Sequence, residues 1–176
     1  MSVITRETNE TSIRLELTRQ GPIEVDTTVP FLDHMMRTWA RYAGIGLDLR
    51  AKGDLRHHVI EDVAIAAGIA SKQEFAVPIR RYGHQVIPMD EAVVECALDF
   101  GGRAFYRGPL PSSLYDHWMR SFADNAACTL HLFVRRGTDR HHIVEAGFKA
   151  LGVALAQAIV PVAEITSTKG AVRVAR

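Results

Sequence analysis

An α+β fold made of two duplicated halves is what this sequence predicts. Each half is expected to be a βαβα-type unit with helices packed on one face of an antiparallel-rich sheet, and the halves to be related by pseudo-twofold symmetry. Two observations carry that expectation. One is an internal repeat: Leu32–Ala70 and Tyr115–Ala154 share the pattern DH…HHxxE, as Asp33-His34, His57-His58 and Glu61, then Asp116-His117, His141-His142 and Glu145. The spacing from single histidine to histidine pair is 23 residues in the first copy and 24 in the second. Other positions match at the same offset, among them Met36 with Met119, Arg37 with Arg120, Gly53 with Gly137, Arg56 with Arg140 and Gly68 with Gly152. The second observation is a regular exchange of hydrophobic period inside each copy, from two in short stretches to 3.6 in longer ones.

The elements follow in order. Ser12–Leu17 alternates polar and apolar, as a half-buried strand does, and ends in a turn at Gln20-Gly21-Pro22 before a second short extended run and Pro30. His34–Tyr42 has helical spacing through Met35, Met36 and Trp39. Ile45–Arg50 alternates again, Lys52-Gly53-Asp54 turns, and an Ala-rich helix runs from His57 to Ala70 with Asp54 as its expected N-cap. Ile79–His84 reads as a charged loop and Ala92–Phe100 as a strand. The scheme then repeats: a helix from His117, a strand over Thr129–Val134, a turn at Arg136-Gly137 and a helix from His141 to about Ile159. A loop is expected over Ile165–Gly170. At 176 residues the chain suits a single domain spanning 1–176, with repeats of approximately 1–85 and 86–176.

Composition excludes several classes. Lys and Arg number 21 against 20 Asp and Glu, so there is no broad basic surface for nucleic acid or membrane. Cys96 and Cys128 lack CxxC spacing, which argues against a disulfide framework or thiolate metal site and fits a reducing cytoplasm. No stretch has the roughly 18 consecutive apolar residues of a membrane helix. The expectation is a cytoplasmic protein.

Six of the eight histidines and two glutamates fall in the repeat. On a helix, Glu61 lies four residues from His57 and three from His58, so it can share a face with either. Adjacent histidines diverge by about 100°, which suits them to two ions rather than to one. His34, His57, His58 and Glu61, with His117, His141, His142 and Glu145, are therefore candidate ligands for two sites of roughly four ligands each. Imidazole and carboxylate suit Mn, Fe, Co, Ni or Zn. A packed core histidine or a solvated helix turn is the ordinary reading of any one of these residues; the duplication favours metal. His84 and His131 stand outside the pattern and read as structural.

The order of short motifs along the chain resembles the imidazoleglycerol-phosphate dehydratase family. They are Arg6–Thr11, Phe31–Met35, His57–Asp62, Ile79–Gly83, Pro88–Ala92, Gly102-Arg103, His117 with Arg120–Ala123, His141–Lys149 and Ser167–Gly170. The resemblance implies a lyase (a hydro-lyase) of histidine biosynthesis that converts D-erythro-imidazole-glycerol phosphate to imidazole-acetol phosphate. It implies two Mn²⁺ ions per active site, no organic cofactor, and a homo-oligomer of 24 subunits with active sites between subunits. Ring nitrogens bound to two metals would let the imidazole exist as imidazolate, which can expel the neighbouring hydroxyl. Glu10 is implied for proton transfer, with Glu145 a second candidate. Arg81, Arg103, Ser167 and Lys169 are implied for the phosphate, with Lys149 near the substrate, and Asp62 and Asp90 are candidates to orient ligand imidazoles. The chain departs from the family pattern where Leu55-Arg56 leads directly into His57, about three residues short, and Phe105–Tyr115 is also short. Two rival readings remain: a dinuclear metal phosphoesterase and a metal-storage cage.

Overall fold

The structure, a computed structural model, describes residues 1–164. Twelve elements alternate in two equivalent series: β1 (Ser2–Glu7), β2 (Thr11–Thr18), β3 (Ile23–Asp26), α1 (Pro30–Ala43), β4 (Gly46–Gly53) and α2 (Arg56–Glu74), then β5 (Tyr82–Met89), β6 (Ala92–Asp99), β7 (Phe105–Arg107), α3 (Ser113–Ala126), β8 (Thr129–Arg136) and α4 (Arg140–Ala158). Each series forms a four-stranded sheet, β1-β2-β4-β3 and β5-β6-β8-β7. Three strands of each sheet are antiparallel, while β3 and β7 run parallel to their neighbours β4 and β8. The duplication and the α+β class are thus seen directly. Helices α1 and α3 have 14 residues each, and α2 and α4 have 19 each, so the copies match element by element.

The helices cover one face of each sheet and meet helices of the other half. Helix α2 packs on β1, β2 and β4, and α4 on β5 and β6; across the middle α2 packs on α3, and α4 on α1. Matched glycines permit this closeness. A Cβ on Gly68 would lie 2.7 Å from the Phe122 carbonyl oxygen, and one on Gly152 would lie 2.9 Å from that of Trp39. An aromatic cluster fills the centre: Trp118 stacks on Phe122 at 5.3 Å and meets Phe148 at 4.7 Å, and Trp39 sits edge-on to Trp118. Cys96 and Cys128 are buried free thiols.

Several expectations are corrected. Residues expected to form a charged loop at Ile79–His84 lead into an edge strand, β5. Its inward position Gly83 has no side chain because α4 lies against it; a Cβ there would meet the Ala154 carbonyl at 1.8 Å. Without that apolar side chain, and with Pro88 further along, the alternation is invisible; an edge strand tolerates both. Strand β1 was unanticipated for a related reason: Arg6 comes near the core because buried Asp62 pairs with it at 2.9 Å. Strand β7 is too short to carry a pattern. Helices α1 and α3 begin four residues before His34 and His117, and α2 has Leu55, not Asp54, at its N-cap with no side-chain cap.

Candidate metal centre

The helix pairing across halves decides which ligands meet. Helix α1 supplies His34 and α4 supplies His141 and Glu145; α3 supplies His117 and α2 supplies His57 and Glu61. Each group has ligand atoms within 4.8 Å of one another. Within the chain these make two sets of three. Each set combines the single histidine of one copy with the HxxxE of the other.

Each single histidine is set by the aspartate before it. Asp33 accepts from the Thr27 backbone N–H at 2.7 Å and from the Thr27 hydroxyl at 2.6 Å. Asp116 accepts from the Tyr106 hydroxyl at 2.6 Å and from the Leu110 N–H at 2.8 Å. These bonds tie the lead-in chain to the first helical turn, where a negative charge also suits the helix dipole.

In the group around Glu145, one carboxylate oxygen lies 2.9 Å from His34 Nε2 and 3.1 Å from His141 Nε2, and the other accepts from Lys149 Nζ at 2.9 Å. Phe31 packs against both imidazoles, 6.4 Å and 5.0 Å between ring centres. Burial pushes the Glu145 carboxyl up, but Lys149 and His34 outweigh it and hold the group at about 2. The group around Glu61 is looser: His57 Nε2 and His117 Nε2 lie 3.6 Å and 3.5 Å from its carboxylate, which is 35 % exposed against 9 % for Glu145. Converging imidazole nitrogens with one ionised carboxylate are a donor set that first-row divalent ions accept, so the residues fit a metal.

His58 and His142 stand apart from both groups. The rings within each HH pair are nearly perpendicular, 89° in both, and the 100° step between adjacent helical positions sends the two side chains in different directions. His58 Nδ1–H donates to Asp54 at 2.8 Å, and His142 Nδ1–H donates to Glu91 at 2.7 Å. The Asp54 contact, and secondarily the Glu10 charge, raise the His58 pKa against partial desolvation. The His142 contact, then the N–H groups of Asp139 and Thr138, bring Glu91 to about 2.

The other expected residues divide. Glu10 is exposed beside His58, 3.6 Å from its Nδ1. Lys149 sits in the Glu145 group. Asp62 orients no imidazole; it accepts from the Thr11 hydroxyl and pairs with Arg6. Asp90 stays 3.6 Å from His142 Nε2, and its neighbour Glu91 makes the orienting contact. Asp54 and Glu91 were both missed. Asp54 looked like a helix cap, and Glu91 is found only by aligning the copies on their second strands, where Glu10 and Glu91 each precede the first residue. Arg81 is held bidentately by Asp99 at 3.0 Å and 2.8 Å and lines a cavity of about 430 Å³ with Phe75, Phe100 and Gly102. Arg103 is exposed nearby in sequence. Ser167 and Lys169 lie outside the described residues.

Comparisons with known proteins point to one family. The family model described as imidazoleglycerol-phosphate dehydratase matches residues 27–155. An imidazoleglycerol-phosphate dehydratase of Pyrobaculum aerophilum is 46% identical, with 94% of this chain and 96% of the relative covered. One from Granulibacter bethesdensis is 41% identical, covering 90% and 89%. The crystal structure of IGPD from Pyrococcus furiosus, in complex with (S)-C348, superposes with a TM-score of 0.89 at 32% identity, covering 96% of this chain and 100% of that one. The Staphylococcus aureus enzyme superposes at 0.83 and 29% identity, covering 92% and 99%. By sequence and fold, the chain belongs to the imidazoleglycerol-phosphate dehydratase family.

Proposed function

We propose that this chain dehydrates D-erythro-imidazole-glycerol phosphate to imidazole-acetol phosphate in histidine biosynthesis. The reaction depends on two divalent ions per active site, with manganese the first choice, and runs in the cytoplasm at sites shared between subunits of a homo-oligomer, 24 of them by family resemblance. The observation that carries the reading is the pair of His-His-Glu groups, each one ligand short of four, together with two further histidines turned away and held by carboxylates. His58 and His142 are then the fourth ligands that one subunit offers to groups on its neighbours.

A second observation supports sharing. The Arg81 backbone N–H bonds to the Ala158 carbonyl at the far end of α4, whereas His141 and Glu145 occupy its first turns. At 1.5 Å per residue the two places are roughly 25 Å apart. A single imidazole-glycerol phosphate is shorter than that distance, which favours a reading in which the α4 metal group of one chain works with Arg81 of another. The open face of the second sheet also presents Tyr82, Val86, Phe105 and Phe133, 39–54 % exposed, which offers apolar surface to an assembly.

The bound ions would supply positive charge that stabilises the deprotonated imidazole of the substrate at neutral pH. The chain's residues do the rest. Glu145, ionised far below neutral pH, is available as a ligand throughout the working range. Glu10, exposed and 3.6 Å from His58 Nδ1, takes the carbinol C–H proton and returns it. Arg81, Arg103, Ser167 and Lys169 bind the phosphate, for which the guanidinium fork is suited; Lys149 fixes Glu145 at the substrate's edge.

The test is to supply imidazole-glycerol phosphate to metal-free protein with and without added Mn²⁺ and to follow the enolisable ketone. Metal-dependent ketone formation supports the reading. Release of inorganic phosphate without ketone would favour a dinuclear phosphoesterase, and metal uptake without turnover a storage cage.

A further inference from the structure

The hairpin turns before β2 and β6 end on equivalent glutamates. Glu10 stands one residue before β2 and Glu91 one before β6. Thr11 pairs with Gly53 across the first sheet, and Ala92 packs on Gly137, the repeat partner of Gly53. Pseudo-symmetry thus brings each glutamate to the outer histidine of its own half.

The two glutamates behave differently there. Glu91 takes the His142 Nδ1–H at 2.7 Å and also accepts from the backbone N–H groups of Thr138 at 3.1 Å and Asp139 at 2.8 Å. Glu10 stops 3.6 Å from His58 Nδ1, beyond hydrogen-bond range, and remains 57 % exposed. Asp54 occupies the place instead. It stands where the second half has Thr138, and the short lead-in sets it one helical turn before His58. Its N–H donates to the Glu10 carbonyl at 3.0 Å, and its carboxylate accepts from the Leu55 N–H at 2.6 Å, so Asp54 is itself fixed.

We infer that Asp54 is the positioning residue for His58, and that by holding His58 Nδ1 it releases the Glu10 carboxylate, whose counterpart Glu91 is committed to orienting His142, for proton transfer. The inference rests on the metal-dependent dehydratase reading. An imidazole whose Nδ1–H is held by a carboxylate presents its Nε2 lone pair in one direction, as a metal ligand must. A carboxylate oxygen occupied by that N–H is a poorer acceptor for a substrate proton. In the first half a separate carboxylate, Asp54, orients the histidine and leaves the glutamate open, whereas in the second half the equivalent glutamate, Glu91, is itself taken up by the orienting contact.

The experiment measures the Mn²⁺ dissociation constant and particle size of the unaltered protein, Asp54→Ala, Asp54→Asn, Glu10→Gln and the Asp54→Ala/Glu10→Gln pair. Asp54→Ala is expected to weaken Mn²⁺ binding by about 10–100-fold, and Asp54→Asn, which keeps an oxygen acceptor, to restore most of it. Glu10→Gln alone should leave Mn²⁺ binding within about twofold, yet cost several-fold more when added to Asp54→Ala, because Glu10 can then swing onto His58. Asp54→Thr, the residue of the second half, replaces Asp54→Ala if the latter fails to assemble. Unchanged Mn²⁺ binding in Asp54→Ala would overturn the inference, as would a loss in Glu10→Gln alone as large as that in Asp54→Ala. Failure of the dehydratase reading is seen separately, as no ketone from the unaltered, manganese-loaded protein.

Discussion

Helices α2 and α4 have the same length, carry the same HHxxE and lie on equivalent sheets, yet their first turns are held by different means. In α4, Asp139 caps the helix by accepting from the N–H groups of His141 and His142, while Glu91 reaches in from the β5–β6 turn to anchor both backbone and ring. In α2, Leu55 occupies the N-cap and Asp54 secures only the Leu55 N–H and the His58 ring. The same inequality reaches the ligands: the Glu145 carboxylate is buried, braced by Lys149 and about 3 Å from its two exposed histidines, whereas the Glu61 carboxylate is half-exposed and about 3.5 Å from its own. Duplication therefore preserved the ligand pattern while dividing the tasks. The group centred on Glu145 is the tighter and the one centred on Glu61 the looser, each drawing on both halves; the first half alone keeps an uncommitted glutamate.

The largest expected effect sharpens that division at the two equivalent glutamates. Glu10→Gln should lower kcat by about 10²–10⁴-fold with metal content intact, whereas Glu91→Gln should weaken Mn²⁺ binding by about 10–100-fold. Steady-state kinetics beside metal analysis separates them, and the same pattern in both variants would erase the distinction. Next comes acid. Glu145 is held at about 2, below its ordinary 4.5. Its lowered pKa contributes stability that is complete above 4.5 and lost as pH falls toward 2, up to about 3 kcal/mol. Unfolding of metal-free protein between pH 5 and 2 should therefore show a steeper loss than in Glu145→Gln; equal slopes would contradict the assignment.

The caps give smaller effects. Asp139→Ala should cost about 1 kcal/mol, and Leu55→Asp, which copies the α4 cap onto an exposed position, should stabilise α2 by about 0.5–1 kcal/mol, both read by thermal unfolding. The smallest effect concerns helix ends. Helix α1 ends at Gly44 with φ 68°, but α3 ends at Ala127 with φ 52°, a left-handed conformation that a Cβ disfavours. Ala127→Gly should raise stability by about 0.5–1 kcal/mol, whereas Gly44→Ala should lower it.

Much of this was legible in the sequence, for reasons that also explain the gaps. The helices and inner strands announce themselves through periodicity because they bury regular apolar faces. The edge strands β1 and β5 do not, since Arg6 and Gly83 stand at inward positions for tertiary reasons: a buried aspartate in one case and a helix pressed on the backbone in the other. The ligands themselves were legible as a repeated pattern, but their grouping was not. Nothing local says that His34 belongs with His141 and Glu145 rather than with His57 and Glu61; that follows from α1 packing on α4. Asp54 was visible as a residue and misread in role, because an aspartate before a helix usually caps the backbone, and here a histidine ring competes for its oxygen.

The central claim, that active sites are completed between subunits by His58 and His142, is tested most directly by mixing two disabled proteins. One lacks both outer histidines (His58→Ala/His142→Ala) and the other lacks both group carboxylates (Glu61→Gln/Glu145→Gln). Each alone should be inactive. Dissociated, mixed and reassembled with Mn²⁺, they should recover part of the activity, because some sites then join an intact group from one subunit to intact histidines from another. Mixed assemblies of normal size with no recovered turnover would contradict the account.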